Sequence, residues 1–309
     1  MEQVLTVDNL SKHYGQMRAV DAISFSVPRG QAIGLLGPNG AGKSTTIQML
    51  LGITAATTGH ITYFGQDFNT HRQACLQRIN FASTFNTLQG RITVWENLLV
   101  FARLYQVVKA KRKIMELVEY FQIEALLNQR FWDLSAGQKT RVNLIKALLN
   151  DPEIILMDEP TASLDPDIAD KLLTLIEQLK SDRQMSLLYT SHDMAEVERI
   201  CDQVIFLDHG KIIAQDTPLG LTKRITHSQL TLAFDGTQAQ VQTVLGRFQL
   251  QYSFPNQNLV KMQTPEQLIP KVIFSLSQAG VWITDITIQK PTLEDVFLQF
   301  SRSTDSTII

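Results

Sequence analysis

Only two cysteines stand in 309 residues, Cys75 and Cys201, far apart and without metal-ligand spacing. That scarcity argues against a disulfide-stapled scaffold and a cysteine-built metal site, and it fits thiols kept in a reducing compartment. A surplus of one charge is missing as well. Lysine and arginine total 28 against 30 acidic residues, a net charge of −2, so no global basic field is available to recruit nucleic acid. No stretch approaches the ~18 consecutive apolar residues of a membrane-spanning helix, so any membrane role is expected to come through a partner. "MEQVLTVDNL" lacks the basic start and apolar run of a secretory signal, and it is not expected to be one. Sustained heptads are also absent. What remains, 44% hydrophobic and 19% charged residues, suits a globular chain of about two domains.

Residues 4–10 and 22–27 alternate like half-exposed strands, whereas "QAIGLLG" (31–37) is a short apolar run ending in glycine. A helix is expected after it, with Ile47, Leu50 and Leu51 on one face. Further strands are expected at 60–64 and 79–83, then helical patterns from 93 to 149. "EIILMD" (153–158), "MSLLYTS" (185–191) and "QVIFLD" (203–208) are apolar strands separated by a helical stretch at 167–180 and a short helix after His192. Apolar strands alternating with helices predict an α/β fold around a largely parallel, doubly covered sheet. "HG" at 209–210 fits a tight turn into a strand at 211–216. The character changes near 217–228. Beyond it come a strand at 229–235, a helix at 237–248, strands at 249–254 and 258–263, a helix from "PEQLIP" to "SQAG", and a strand at 281–288. That β-α-β-β-α-β order is the ferredoxin-like pattern of a small α+β domain over 218–309. A closing amphipathic helix is expected at 291–300, carrying Leu293, Val296, Phe297 and Phe300 on one face, with "SRSTDSTII" as a loose tail. The basic run 109–113 reads as a solvated helix start.

Chemistry concentrates in a few places. Gly37-Pro38-Asn39-Gly40-Ala41-Gly42-Lys43-Ser44-Thr45 fits G-x-x-x-x-G-K-[ST] between an expected strand and an expected helix. Glycines let the backbone turn tightly and aim its N–H groups, with the helix N-terminus, at phosphates. Lys43 would reach the β/γ-phosphates and Ser44 would ligate Mg²⁺. Asp158 and Glu159 end an apolar strand, where ligands of open α/β sheets bind. Asp158 suits Mg²⁺ through water, and Glu159 suits polarising an attacking water. His192 also follows a strand end and could donate to a γ-phosphate, or be a simple turn or cap residue. Ser135, in "LSAGQ", reads on its own as a helix N-cap.

Gly37–Thr45, "LSAGQ" at 134–138, "LMDEP" at 156–160, "SLD" at 163–165 and "TSH" at 190–192 together resemble the ATP-binding subunit of an ABC transporter, over roughly residues 2–217. The resemblance implies a P-loop NTPase cassette with a helical signature subdomain at about 84–150, acting as an ATPase with ATP and Mg²⁺. It implies a head-to-tail homodimer in which Ser135, Ala136, Gly137 and Gln138 of one copy close over ATP held by the phosphate loop of the other. Asp165 would then lie at the seam and Tyr14 would stack on adenine. "PTLEDVFLQF" (291–300) is similar to the C-terminal end of drug-resistance-type (ABC-2) exporter ATPases. That implies a separate transmembrane permease as partner, no nucleic acid, and a cytoplasmic, membrane-peripheral location. The family's glutamine after the strand at 79–83 is replaced: aligning by "TVWENL" puts Thr84 there, with Gln89 five residues late and Gln66 in an earlier turn. Thr84 has a hydroxyl that could still ligate Mg²⁺ but a shorter reach, so ATP binding with altered coupling is expected. Two alternatives stay open at this point. One is an ABC-type ATPase unconnected with transport, and the other is a nucleotide-sensing module regulated through 218–309.

Overall fold

The computed structural model describes residues 2–83, 88–162 and 164–305, with side chains through residue 299. The chain divides into two compact units, Met1–Pro218 and Leu219–Ile309. The first begins with β1 (Gln3–Tyr14), β2 (Met17–Pro28), β3 (Ala32–Leu36), α1 (Lys43–Leu50), β4 (Thr58–Tyr63), β5 (Gln66–Asp67), α2 (Arg72–Leu76) and β6 (Ile79–Ser83). A helical segment follows, α3 (Val94–Leu104), α4 (Ala110–Tyr120) and α5 (Ala136–Leu148). Then come β7 (Ile154–Asp158), α6 (Pro166–Arg183), β8 (Ser186–Thr190), α7 (Met194–Ile200), β9 (Gln203–Asp208) and β10 (Lys211–Asp216).

Two sheets share this unit. The apolar runs form a sheet in the order β10-β9-β3-β8-β7-β6, parallel except for β10, and β3 and β8 are buried along their whole length. Strands buried on both faces have no reason to alternate, which is why they read as continuous apolar runs. The alternating strands β1 and β2 instead join β4 and β5 in an antiparallel sheet, β2-β1-β4-β5. The expected strand at 60–64 therefore belongs to this second sheet rather than to the parallel one. Phe25, Ile33, Leu50, Tyr63, Leu156 and Leu207 belong to one core that joins both sheets to α1. Each such side chain contributes about 1.5–3 kcal/mol on burial.

The helical segment starts with a capping box, Thr93 with Glu96. In α4 the basic run is only partly solvated: Lys109, Lys111 and Arg112 are exposed, but the Lys113 side chain is 12% exposed and pairs with Asp151 at 2.5 Å. Helical periodicity turns that fourth position inward beside Ile114 and Leu117, and its long stem covers apolar surface while the amine finds a carboxylate. The β9–β10 connection at His209 and Gly210 has φ of 45° and 78°, the two positive values that a two-residue hairpin turn demands.

After α8 (Pro218–Thr222), which occupies part of the expected linker, the second unit contains β11 (His227–Asp235), α9 (Gln238–Gly246), β12 (Tyr252–Asn256), β13 (Leu259–Pro265), α10 (Ile269–Gln278), β14 (Trp282–Gln289) and α11 (Leu293–Asp305). Its antiparallel sheet has the order β12-β13-β11-β14, the ferredoxin-like arrangement. Leu230, Leu232, Phe234, Val241, Val244 and Val272 form its core. Leu293 and Val296 of α11 are buried, and that helix continues to Asp305, so the first five residues of the expected loose tail are helical.

Candidate active site

The phosphate loop runs from the buried end of β3 into α1. Gly42 caps the helix at φ 104°, where a side chain would be strained and a Cβ would overlap the Ala19 carbonyl. A Cβ on Gly37 would likewise overlap the Leu207 carbonyl, so the loop is wedged between the two sheets. Ala41 N–H donates to Pro38 O at 3.1 Å, and Ala41 O accepts from Gly210 N–H at 3.1 Å. Pro38 is half-buried, and Asn39, Gly40 and Ser44 are exposed, with Thr45 half-buried. No side chain caps α1 and no acid lies in its first turn, so the N–H groups of Lys43, Ser44 and Thr45 have no acceptor inside the helix. An anion meets those needs. Thr46, which sequence reasoning did not single out, is buried and donates to Gly42 O at 2.9 Å, locking the turn.

Lys43 is 8% exposed, and its Nζ donates to the loop carbonyls of Gly37 at 2.5 Å and Pro38 at 3.1 Å. Burial lowers its pKa from the ordinary lysine value, while the negative charges of Glu159 and Asp158 pull it back up. Those two carboxylates, at the end of β7, are thus electrostatic neighbours of the loop lysine. The Asp158 Oδ1 accepts from Thr190 Oγ1 at 2.6 Å. Glu159 leaves the strand at φ 49°, a left-handed conformation costing roughly 1–2 kcal/mol for a residue with a side chain. Its N–H donates to Thr190 O at 3.1 Å, which keeps it at the end of β8. There His192 Nε2 and Glu159 Oε1 lie 2.7 Å apart. The structure therefore brings Lys43, Asp158, Glu159 and His192 together, along with Thr190, which belongs to "TSH" in the sequence without its hydroxyl having a role assigned there.

The signature segment is built differently. Ser135 is the N-cap of α5 in a full capping box: its Oγ accepts from Gln138 N–H at 3.3 Å, and its own N–H donates to Gln138 Oε1 at 2.9 Å. Both readings of Ser135 remain compatible, since an accepting hydroxyl still has a proton to donate. Ala136 is exposed. Gly137 is buried, and a Cβ there would lie 2.6 Å from Ile168 Cγ2 of α6, so its smallness serves helix packing as well as any backbone approach. Asp165 is the exposed N-cap of α6, makes no side-chain cap bond and precedes Pro166 at the helix start. Tyr14, at the hairpin end of β1, is 49% exposed, with Lys12 Nζ 5.0 Å from its ring centroid. Thr84 lies outside the described residues. Gln89, the later glutamine, is held by its backbone to Asn97, whose Oδ1 accepts from Gln89 N–H at 2.9 Å.

A wedged glycine loop, a buried lysine over an open helix N-terminus, and a carboxylate–histidine pair at adjacent strand ends define a P-loop cassette. The chain matches the ABC transporter family over residues 20–162. It is 33% identical over 296 residues to the Nod factor export ATP-binding protein I of Rhizobium etli, covering 95% of this chain and 92% of that one. It is 32% identical over 310 residues to the linearmycin resistance ATP-binding protein LnrL of Bacillus subtilis, covering 97% and 99%. Among solved structures, cbiO1 from Clostridium perfringens, part of the transporter complex cbiONQ, superposes with a TM-score of 0.66 at 25% identity, over 72% of this chain and 92% of that one. A nucleotide-free cassette from an ABC transporter gives 0.60 at 26% identity, over 70% and 91%. The chain belongs to the ATP-binding, ATP-hydrolysing subunits of ABC transporters. No described helix is long and apolar enough to cross a membrane.

Proposed function

We propose that this ATPase powers export through a separate ABC-2 type permease, working as a homodimer that clasps ATP and Mg²⁺ between the phosphate loop of one copy and the signature helix of the other, at the cytoplasmic face of the membrane and without nucleic acid. The export role is supported by the names of its relatives, and the separate permease by the lack of a spanning helix among the described residues. The trans arrangement is supported by the signature segment: among the described residues, no hydrogen bond or ion pair links 135–138 to 37–45 of the same chain, and the α5 N-terminus opens at an exposed serine. Such a helix start favours phosphate.

The Glu159–His192 pair at 2.7 Å carries the hydrolytic reading. Glu159 accepts the proton of the water that attacks the γ-phosphorus, and His192 Nε2–H holds the carboxylate in place or turns to the γ-oxygen. Lys43 and the α1 amides take up the negative charge spread over the phosphate oxygens. Ser44 directly, and Asp158 through water, would hold Mg²⁺, which would supply neutralisation of part of that charge. Tyr14 offers an exposed ring for adenine, and Asp165 lies where an exposed loop could reach the twin. The deciding experiment is Glu159→Gln: phosphate release falls by ~10²–10⁴-fold while an ATP-bound dimer accumulates on size exclusion. Unchanged turnover removes Glu159 from the base role.

A further inference from the structure

Behind the catalytic pair lies a buried carboxylate that the mechanism above does not use. Glu196, on α7, is 7% exposed. Its Oε2 accepts three hydroxyl hydrogen bonds: from Thr161 Oγ1 at 2.8 Å, Tyr189 Oη at 2.9 Å and Ser191 Oγ at 2.7 Å. Each donor has a telling address. Thr161 is two residues beyond Glu159 and four before Asp165. Ser191 immediately precedes His192, and Tyr189 is the penultimate residue of β8, just before Thr190.

Short-range turn bonds shape the segment after Glu159, Ala162 N–H to Glu159 O at 3.2 Å and Leu164 N–H to Thr161 O at 3.0 Å. Those two bonds do not reach beyond the turn. Glu196 links the turn, through Thr161, to the strand end that presents His192, through Ser191. Its own position is fixed twice. Asp193 caps α7, its Oδ1 accepting from Ala195 N–H at 2.9 Å, and Ser191 Oγ accepts from Asp193 N–H at 3.0 Å. One turn later Arg199 clamps α7 to α6, donating to Asp170 at 2.6 Å and Glu177 at 2.8 Å. A single oxygen thus joins both flanks of the 2.7 Å Glu159–His192 pair.

We propose that Glu196 is a positioning residue for hydrolysis, holding through Thr161 and Ser191 the separation between the Glu159 carboxylate and the His192 imidazole. The proposal rests on the reading of Glu159 as the base. A misplacement of about 1 Å at a reacting group lowers the rate on the order of 10²-fold. Three variants test it: Glu196→Gln, which removes the charge that strengthens the three bonds, Thr161→Val, which removes one donor at nearly constant volume, and Thr161→Ser, which restores it. Expected are a kcat ~10–10²-fold lower in Glu196→Gln and Thr161→Val, KM and the Kd of a fluorescent ATP analogue within about threefold of the parent, and kcat recovered in Thr161→Ser. A kcat within about twofold of the parent, affinity and kcat falling together, or Thr161→Ser as impaired as Thr161→Val would each overturn it. Should Glu196→Gln not fold, the two threonine variants decide alone. Glu159→Gln is run alongside: if it too leaves turnover intact the base assignment fails, and if it alone abolishes turnover only the role of Glu196 fails.

Discussion

Ser135 shows how one side chain can satisfy two needs. Its Oγ caps α5, so Ser135→Ala removes both the cap and the hydroxyl proposed to meet a phosphate, and a loss of activity could not be assigned to either. Ser135→Asp separates them. Aspartate is as good an N-cap as serine, so thermal stability stays within ~0.5 kcal/mol of the parent, whereas a carboxylate facing phosphate abolishes ATP-driven dimerisation. Retained dimerisation on analytical ultracentrifugation contradicts the trans role. Lys146 is a second instructive residue. Burial lowers its pKa to about 8, with the Phe101 and Tyr105 rings at 5.5 and 5.9 Å and bonds to Asn80 Oδ1 and Phe81 O. Below about 8 both the folded and unfolded forms carry the proton, and the full burial cost is present. Between about 8 and the ordinary 10.5 the unfolded chain binds more protons, so stability rises with pH. Urea denaturation of Lys146→Met should therefore show a stability gap over the parent that narrows between pH 7 and 9.5. A gap independent of pH would show that the amine is not titrating there.

At the scale of elements, α5 and α6 meet where Gly137 faces Ile168. Gly137→Ala forces a methyl into that contact and is expected to destabilise by about 1–3 kcal/mol, with Ile168→Ala in the same chain relieving most of the strain in a double-mutant cycle. Additive losses would mean that the two positions do not press on one another. The same contact shows what a sequence can disclose. Gly37 to Thr45 were legible because motif, preceding strand and following helix all agreed, and β3, β7, β8 and β9 were legible as apolar runs. The partition into two sheets was not, because alternation in β1 and β2 reports one covered face without saying which sheet covers it. Glu196 was illegible for a different reason. Its three donors come from Thr161, Tyr189 and Ser191, and no local period marks a hydroxyl cluster assembled by two strand ends and a helix. Lys113 misled because its neighbours are charged and its inward direction depends on where α4 begins.

For the whole molecule, nucleotide and assembly should be linked. A ligand bound only by the folded state stabilises it by about 2.7 kcal/mol at a hundredfold excess over Kd, and a dimer makes that gain depend on protein concentration. With MgATP, the thermal midpoint of Glu159→Gln is expected to rise with protein concentration, while Lys43→Ala shows neither the nucleotide shift nor the concentration dependence. A concentration-independent midpoint in Glu159→Gln would argue for a monomer.

Lys43 donates to the carbonyls of Gly37 and Pro38. A phosphate seated on this loop would compete with those two acceptors for the same ammonium. The loop is expected to act as a rival for its own lysine, so part of the charge attraction would go into prising the amine from its backbone partners.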